Sequence, residues 1–404
     1  MKIARINNLY FYFFLSQLIF LPIHFYQTPL LSSTINTDKA IWLHMIGVFW
    51  SAVGYFTVQL IYSLRGEKAE KIEDKSYYFK NIFYVCSYLF IIVGIVINIL
   101  QVVLYVPIME YMSKMFSGSY EAGIRDDYLL PSDEGGLPGI IKMFADAPLS
   151  IYLMSLGLLN FMKLDGVDTQ KLKSLSRVAL GGVLVKVFFS IEHKIIMAVL
   201  LVNIFLGLKN GYFKKYRYWI LIVLLFLMAD YLSVKRLEDM RLIDFTLLYF
   251  KLGLVNFQLM IETCTKYTYG FSTILSPLYY ILKFFNLPSP DFEPYFEWEW
   301  NPAQYFSSYA FQDFGYFYFI MFYVVGILLC QIDSKALKQS IYTSAIYFVV
   351  LFGIVSFVFV PIIRGLDFWL ALLLPCALVN PLFAIYKSTR KHQSKKLLWL
   401  IDRR

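Results

Sequence analysis

The sequence predicts an all-α fold, a polytopic integral membrane helix bundle with about ten transmembrane helices of about 20 residues each. Three observations predict it. Hydrophobic residues fill 59% of 404 positions and charged residues 16%, whereas a soluble domain keeps about 25% charge to wet its surface. Mean hydropathy is +0.59. The Lys and Arg residues sit in short segments between apolar runs, which is the pattern the positive-inside rule expects.

The runs long or apolar enough to cross are 9–31, 41–64, 82–108, 149–162, 178–192, 194–208, 218–234, 305–330, 341–363 and 367–386. The fourth, fifth and sixth are short for a span, which a place inside the bundle would tolerate. Lys2 and Arg5 ahead of the first run read as a signal anchor without an A-x-A-like cleavage site, so that run is kept as a span. With the N-terminus inside, the inner segments 1–8, 65–81, 163–177, 209–217, 331–340 and 387–404 carry 24 of the 37 Lys and Arg. Ten spans and two cytoplasmic termini are therefore self-consistent, provided that Glu192-His193-Lys194 makes a tight outer turn. The whole chain, 1–404, reads as one transmembrane domain, with long outer loops at about 109–148 and 235–304 and a basic cytoplasmic tail at 387–404. Two apolar stretches of the second loop, 245–262 and 271–285, read as amphipathic helices lying on the outer face. In the tail, Leu397 to Ile401 reads as a helix on the anionic inner leaflet.

Several function classes drop out. A net charge of +9 concentrated in inner loops is topogenic, so no nucleic-acid partner is expected. Cys86, Cys264, Cys330 and Cys376 lack disulfide or zinc spacing. The chain has no P-loop, GxGxxG, HExxH or GxSxG, and Asp126-Asp127 is adjacent rather than spaced as D-x-D. Neither a metal nor a cofactor is expected. The absence of an internal repeat gives inverted-repeat transporter folds no support.

The candidate chemistry lies in the outer segments. Tyr120 to Tyr128, with Arg125, precedes a Gly/Pro-rich stretch and suits a loop closing over a polar ligand; an ordinary solvated loop is the alternative. Arg236 and Arg241 oppose the inside rule, and a planar guanidinium matches a phosphate oxygen pair. Local pairing with Glu238, Asp239 or Asp244 is the plainer account. His193, with Lys194 beside it and Lys186 one to two turns earlier, is an ionisable group at membrane depth and suits a base near neutral pH. A structural histidine is the alternative, and His24, His44 and His392 show no partners. The stretch from Asn301 through Tyr309 to Asp313-Phe314-Gly315 opens the eighth span. Before it, Asp291, Glu293, Glu297 and Glu299 alternate with aromatic residues, as a sugar-binding surface or a bland interfacial loop would. Asp367 beside Arg364 reads as an ion pair.

These segments resemble the bacterial oligosaccharide repeat-unit polymerases, the Wzy-type O-antigen and capsule polymerases. The resemblance runs from about 80 to 330 and rests on Tyr120 to Arg125, on Glu192-His193-Lys194 and on Asn301 to Asp313-Phe314-Gly315. Lys194 stands where the family's mid-chain turn carries Arg, which keeps the charge and loses the bidentate fork. The resemblance implies a metal-independent, GT-C-like glycosyltransferase of the bacterial inner membrane acting on its outer face. It would polymerise undecaprenyl-diphosphate-linked oligosaccharide into surface polysaccharide such as the O antigen of lipopolysaccharide or capsule, with a chain-length regulator as a protein partner and membrane lipid around it. Arg125, Arg236 and Arg241, supported by Lys194, are expected to bind diphosphate or glycan, with Tyr120, Asn301 and Tyr309 as further substrate contacts. The catalytic base stays open between His193, Asp313 and Glu297. The alternatives are an O-antigen ligase, which shares the donor, and a glycolipid flippase or transporter, for which Lys186 and Asn203 are the mid-span polar residues.

Overall fold

A computed structural model gives the fold. It describes residues 8–18, 20–25, 36–64, 75–104, 107–116, 139–190, 193–211, 216–236, 241–278, 282, 285, 287–288, 305–358, 365–382 and 385–389. Arg125, Tyr120, Glu297 and Asn301, with the other loop residues named above from 117–138 and 289–304, lie outside them, as do Arg364 and the Leu397–Ile401 patch.

The helices, in order, are α1 (Leu9–Gln17), α2 (Phe20–His24), α3 (Asp38–Leu64), α4 (Asn81–Val103), α5 (Ile108–Phe116), α6 (Gly139–Lys142), α7 (Ala147–Phe161) and α8 (Gly166–Ser190). They continue as α9 (His193–Asn210), α10 (Tyr216–Arg236), α11 (Leu242–Thr263), α12 (Phe306–Phe314), α13 (Phe319–Leu337), α14 (Ile341–Val355) and α15 (Leu366–Leu378). Among the described residues β1 (Lys75–Phe79) pairs antiparallel with β2 (Ile385–Thr389), with Tyr77 facing Lys387, and Tyr77 also bridges Leu164. The chain is thus an α-helical membrane bundle. Among the described residues, five segments are long and apolar enough to cross a bilayer: Asp38–Leu64, Asn81–Val103, Met143–Phe161, Leu242–Thr263 and Phe319–Leu337. Leu9–His24, Ile195–Asn210, Ile222–Tyr231, Ile341–Val355 and Asp367–Leu378 are shorter apolar helices.

Close approach of backbones holds the bundle. Lipid tails are as apolar as leucine, so helix association in a membrane depends on packing, and small residues allow it. A Cβ added at Gly326 of α13 would lie 2.0 Å from the Ser51 carbonyl oxygen, and one at Gly54 of α3 would lie 2.1 Å from that of Tyr323. The pairs Gly47–Phe322 and Ser51–Gly326 advance in the same direction, so α3 and α13 run parallel. Across the bundle, Gly157 of α7 admits the Ser344 carbonyl of α14 in the same way. Between these seams, Phe13, Phe306, Phe322 and Phe357 interlock, the last pair of rings, Phe306 and Phe357, stacking at 4.2 Å.

The bundle has two distinct ends. One gathers β1, the starts of α1, α4, α8 and α14, and the last turns of α7, α9 and α13. There Asp333 accepts the Leu9 N–H at 3.1 Å and the Tyr347 hydroxyl at 2.8 Å, and Asp168 accepts from the Phe79 N–H and the Tyr84 hydroxyl. Lysines crowd this end and lie along apolar or aromatic surface: Lys209 sits 3.6 Å from the Phe161 ring centroid and Lys171 lies 5.2 Å from that of Tyr84. We call it the basic end.

Four expectations change. The eighth span is broken. Gly315 takes φ +55 with the Tyr267 ring packed on its Cα, which ends α12 before α13 begins. The inner loop at 163–177 is mostly the first half of α8, which begins at Gly166. The last span stops at Leu378, near Pro375 and Pro381, and the chain turns back as β2 instead of continuing helical to 386. The 245–262 stretch is helical, as α11, but its residues 252–258 are buried all round, so it does not lie on a surface. Its partners sit at the end opposite the basic one. The Leu242 N–H bonds Asp230 near the end of α10, Phe250 O accepts from Tyr305, and Gln258 accepts from the Ala40 N–H that opens α3.

Candidate functional site

The end opposite the basic one holds a buried ion pair, Lys186 with Asp146. Met143–Asp146 forms a 3-10 turn ahead of α7. Asn98 of α4 grips it, donating to Ala145 O at 3.0 Å and to its own Gly94 O at 2.8 Å. Pro148, just inside α7, packs on Gly94 and Gly182, where any side chain would collide with it. Helices α4, α7 and α8 therefore converge on one proline, and the convergence brings Asp146 onto Lys186. The Lys186 ammonium donates to the Asp146 carboxylate, and the two residues are 5% and 7% exposed. A charge taken out of water is costly unless paired, so each holds the other in place.

Asp146 also lines a crevice of about 20 Å³ between α7, α9, α14 and α15, together with Leu149, Ile195, Phe352, Asp367 and Phe368. Asp367 is in the first turn of α15, where the helix dipole favours a carboxylate. The crevice has room for about one water molecule, which is far too little for a sugar ring. What the arrangement supplies is a fixed ammonium and two carboxylates at the head of an apolar slot. His193 and Lys194 are the first two residues of α9 and directly precede Ile195, a wall of that slot, whereas Glu192 of the expected turn lies outside the described residues. The structure thus assembles Lys186, the 193–194 turn and Asp367 in one region. Asp146 was missed: a lone Asp before Ala-Pro carries no sequence signal, and its partner is 40 residues away.

The other candidates lie elsewhere at the same end. Asp313 is fully buried, and its two oxygens hold the 268–273 turn. They accept from the Thr268 hydroxyl at 2.6 Å, the Ser272 N–H at 2.9 Å and the Thr273 hydroxyl at 2.5 Å. Ser272 also donates to Gln312 Oε1. As folded, Asp313 latches the turn onto α12, with both carboxylate oxygens accepting hydrogen bonds. Tyr309, expected to contact substrate, is 5% exposed within α12. Arg241 pairs with Asp230 at 2.9 Å and stays 72% exposed, while Glu238 and Asp239 lie outside the described residues. Arg236 closes α10, five positions before Arg241.

Two histidines gain partners the sequence hid. His44, fully buried, shares a 2.6 Å hydrogen bond with Ser307 of α12, 263 positions away. His24 bonds Thr37 at 3.1 Å. Asn203 donates to Val199 O and to the Tyr152 hydroxyl.

No family model, curated protein or solved structure matches the chain.

Proposed function

We propose that the chain is a metal-independent glycosyltransferase with a GT-C-like arrangement. It extends undecaprenyl-diphosphate-linked oligosaccharide repeat units into O antigen or capsule on the outer face of a bacterial inner membrane. The basic end is then cytoplasmic, by the positive-inside rule, and the Lys186 end faces outward. A hydroxyl of the incoming repeat unit attacks the anomeric carbon of the growing chain. A new C–O bond forms, the bond to the diphosphate breaks, and undecaprenyl diphosphate leaves with the bonding electrons. Negative charge grows on that diphosphate in the transition state, so cations already in position lower the barrier. Arg125, Arg236, Arg241 and Lys194 are the proposed partners of the diphosphate or glycan. The base that takes the hydroxyl proton is His193, Asp313 or Glu297, and Asp313 would have to release the 268–273 turn to serve.

The observation that carries this reading is the buried Lys186–Asp146 pair beside the first turn of α9. It is a rigid charged frame at the end of the bundle where a lipid-diphosphate donor would present its headgroup. The test is a deletion strain. Loss of a polymerase leaves core glycolipid carrying a single repeat unit, whereas loss of a ligase leaves polymer that is never attached to the core. A wild-type polymer ladder on the deleted strain removes both readings.

A further inference from the structure

The turn following α11 has its polarity inside out. No Asp, Glu, Lys or Arg occurs between Lys266 and Lys283. Within this run the hydroxyl side chains point inward: Thr268, Ser272, Thr273 and Ser276 are 6% exposed or less. The first three satisfy their bonds on one another, on Gln312 and on Asp313. The apolar side chains point outward, with Tyr269, Ile274, Leu275 and Leu278 all exposed. A loop bathed in water sorts its residues the other way, because exposed apolar surface is what folding removes.

The backbone fits the same environment. Irregular chain is tolerated at membrane depth only where its polar groups are satisfied within the protein. The N–H groups of Phe271, Thr273, Leu275, Ser276 and Leu278 bond carbonyls of the same turn, those of Thr268 and Tyr269 bond α12, and that of Ser272 bonds the Asp313 carboxylate. Tyr269 takes a positive φ of 50, held by Asp313 O on one side and Gly270 on the other. The outward face is continuous with a lipid-facing one. Tyr267 of this turn packs on Gly315, and the exposed Phe317, Ile320, Val324 and Leu328 follow at helical spacing down α13, a candidate span.

We propose that residues 269–278 form a cap immersed in the bilayer leaflet at the end of the bundle opposite the basic one, with phospholipid acyl chains covering Ile274, Leu275 and Leu278. The Asp313 carboxylate is its internal anchor, and it takes the place water would have for the hydroxyls of the turn. This does not depend on the reaction proposed above.

The test uses the full chain with its four cysteines replaced, reconstituted in phosphatidylcholine vesicles. Nitroxide labels are attached singly at Leu275→Cys and Leu278→Cys, with Ile320→Cys as a lipid-facing reference and Lys338→Cys as an aqueous one. All four sites are exposed, and a single symmetric peak in gel filtration certifies each variant. The expected result is that the 275 and 278 labels collide with dissolved oxygen in preference to a water-soluble nickel chelate, as the 320 label does. Collision preferentially with the chelate, as at 338, overturns the proposal. So does shielding from both reagents with spin–spin broadening, which would mean that a second copy of the chain covers the cap.

Discussion

Lys186 and Asp146 allow stability and function to be separated. Lys186→Met keeps the length and apolar stem of the side chain but leaves the Asp146 carboxylate without the ammonium that it meets in the structure, at 7% exposure. Breaking a buried pair from one side costs about 3–5 kcal/mol, whereas replacing both partners by apolar groups of similar volume is often neutral or stabilising. Asp146→Leu alone should cost a similar amount, since it removes the carboxylate that the buried ammonium meets. The double variant Asp146→Leu/Lys186→Met should recover most of that loss, giving a coupling energy of at least about 2 kcal/mol. The assay is the midpoint of thermal aggregation in detergent for the wild type, both single variants and the double variant, with polysaccharide ladders scored in cells at matched membrane levels. The expected outcome is recovered stability with shortened or absent polymer, because the charged frame beside α9 is gone. Additive losses in the double variant would refute the argument that the two charges support each other. A full-length ladder from the stable double variant would refute any part for the pair in the reaction.

Three other outcomes follow from the geometry. Gly326→Leu puts a side chain where a Cβ already lies 2.0 Å from the Ser51 carbonyl. It should cost at least the 1–3 kcal/mol typical of overpacking, roughly, and give aggregated protein in gel filtration, while Gly166→Ala, with nothing within 4 Å, should not. Asp313→Ala removes three charge-assisted bonds, each worth about 1.5–3 kcal/mol. It should open the 268–273 turn to limited proteolysis, with Asp313→Asn intermediate; an Asn variant that is fully protected yet inactive would assign Asp313 to the chemistry. Arg241→Ala loses a pair whose arginine is 72% exposed, so its stability should change by no more than about 1 kcal/mol. Its polymer yield should fall all the same, and if both Arg236→Ala and Arg241→Ala keep full activity, the diphosphate assignment fails.

Much of the bundle was legible because the membrane imposes length and composition on each helix. The starts of α4 and α9 fall within one residue of the runs read from hydropathy. Where tertiary contacts decide, the reading failed. Gly315 breaks a continuous apolar run because Tyr267, 48 positions earlier, packs on it, and no local periodicity announces that. α11 reads as amphipathic, yet it is covered by α3 and α12, whose polar groups meet its Gln258 and Phe250 carbonyl. Lys186 stood out because a lysine in an apolar run is rare. Asp146 did not, because its depth is set by Pro148 seated between two glycines on separate helices. The same holds for His44 and Ser307, which are brought together from α3 and α12.

The central claim is that this chain joins lipid-linked repeat units on the side away from its basic end. Purified protein in proteoliposomes, given a fluorescent undecaprenyl-diphosphate repeat unit from outside and resolved by gel electrophoresis, tests that most directly. The account predicts a ladder with single-repeat spacing and stoichiometric release of undecaprenyl diphosphate, without added nucleotide sugar. Movement of the label across the bilayer with no change in its covalent size would contradict it and identify a transporter.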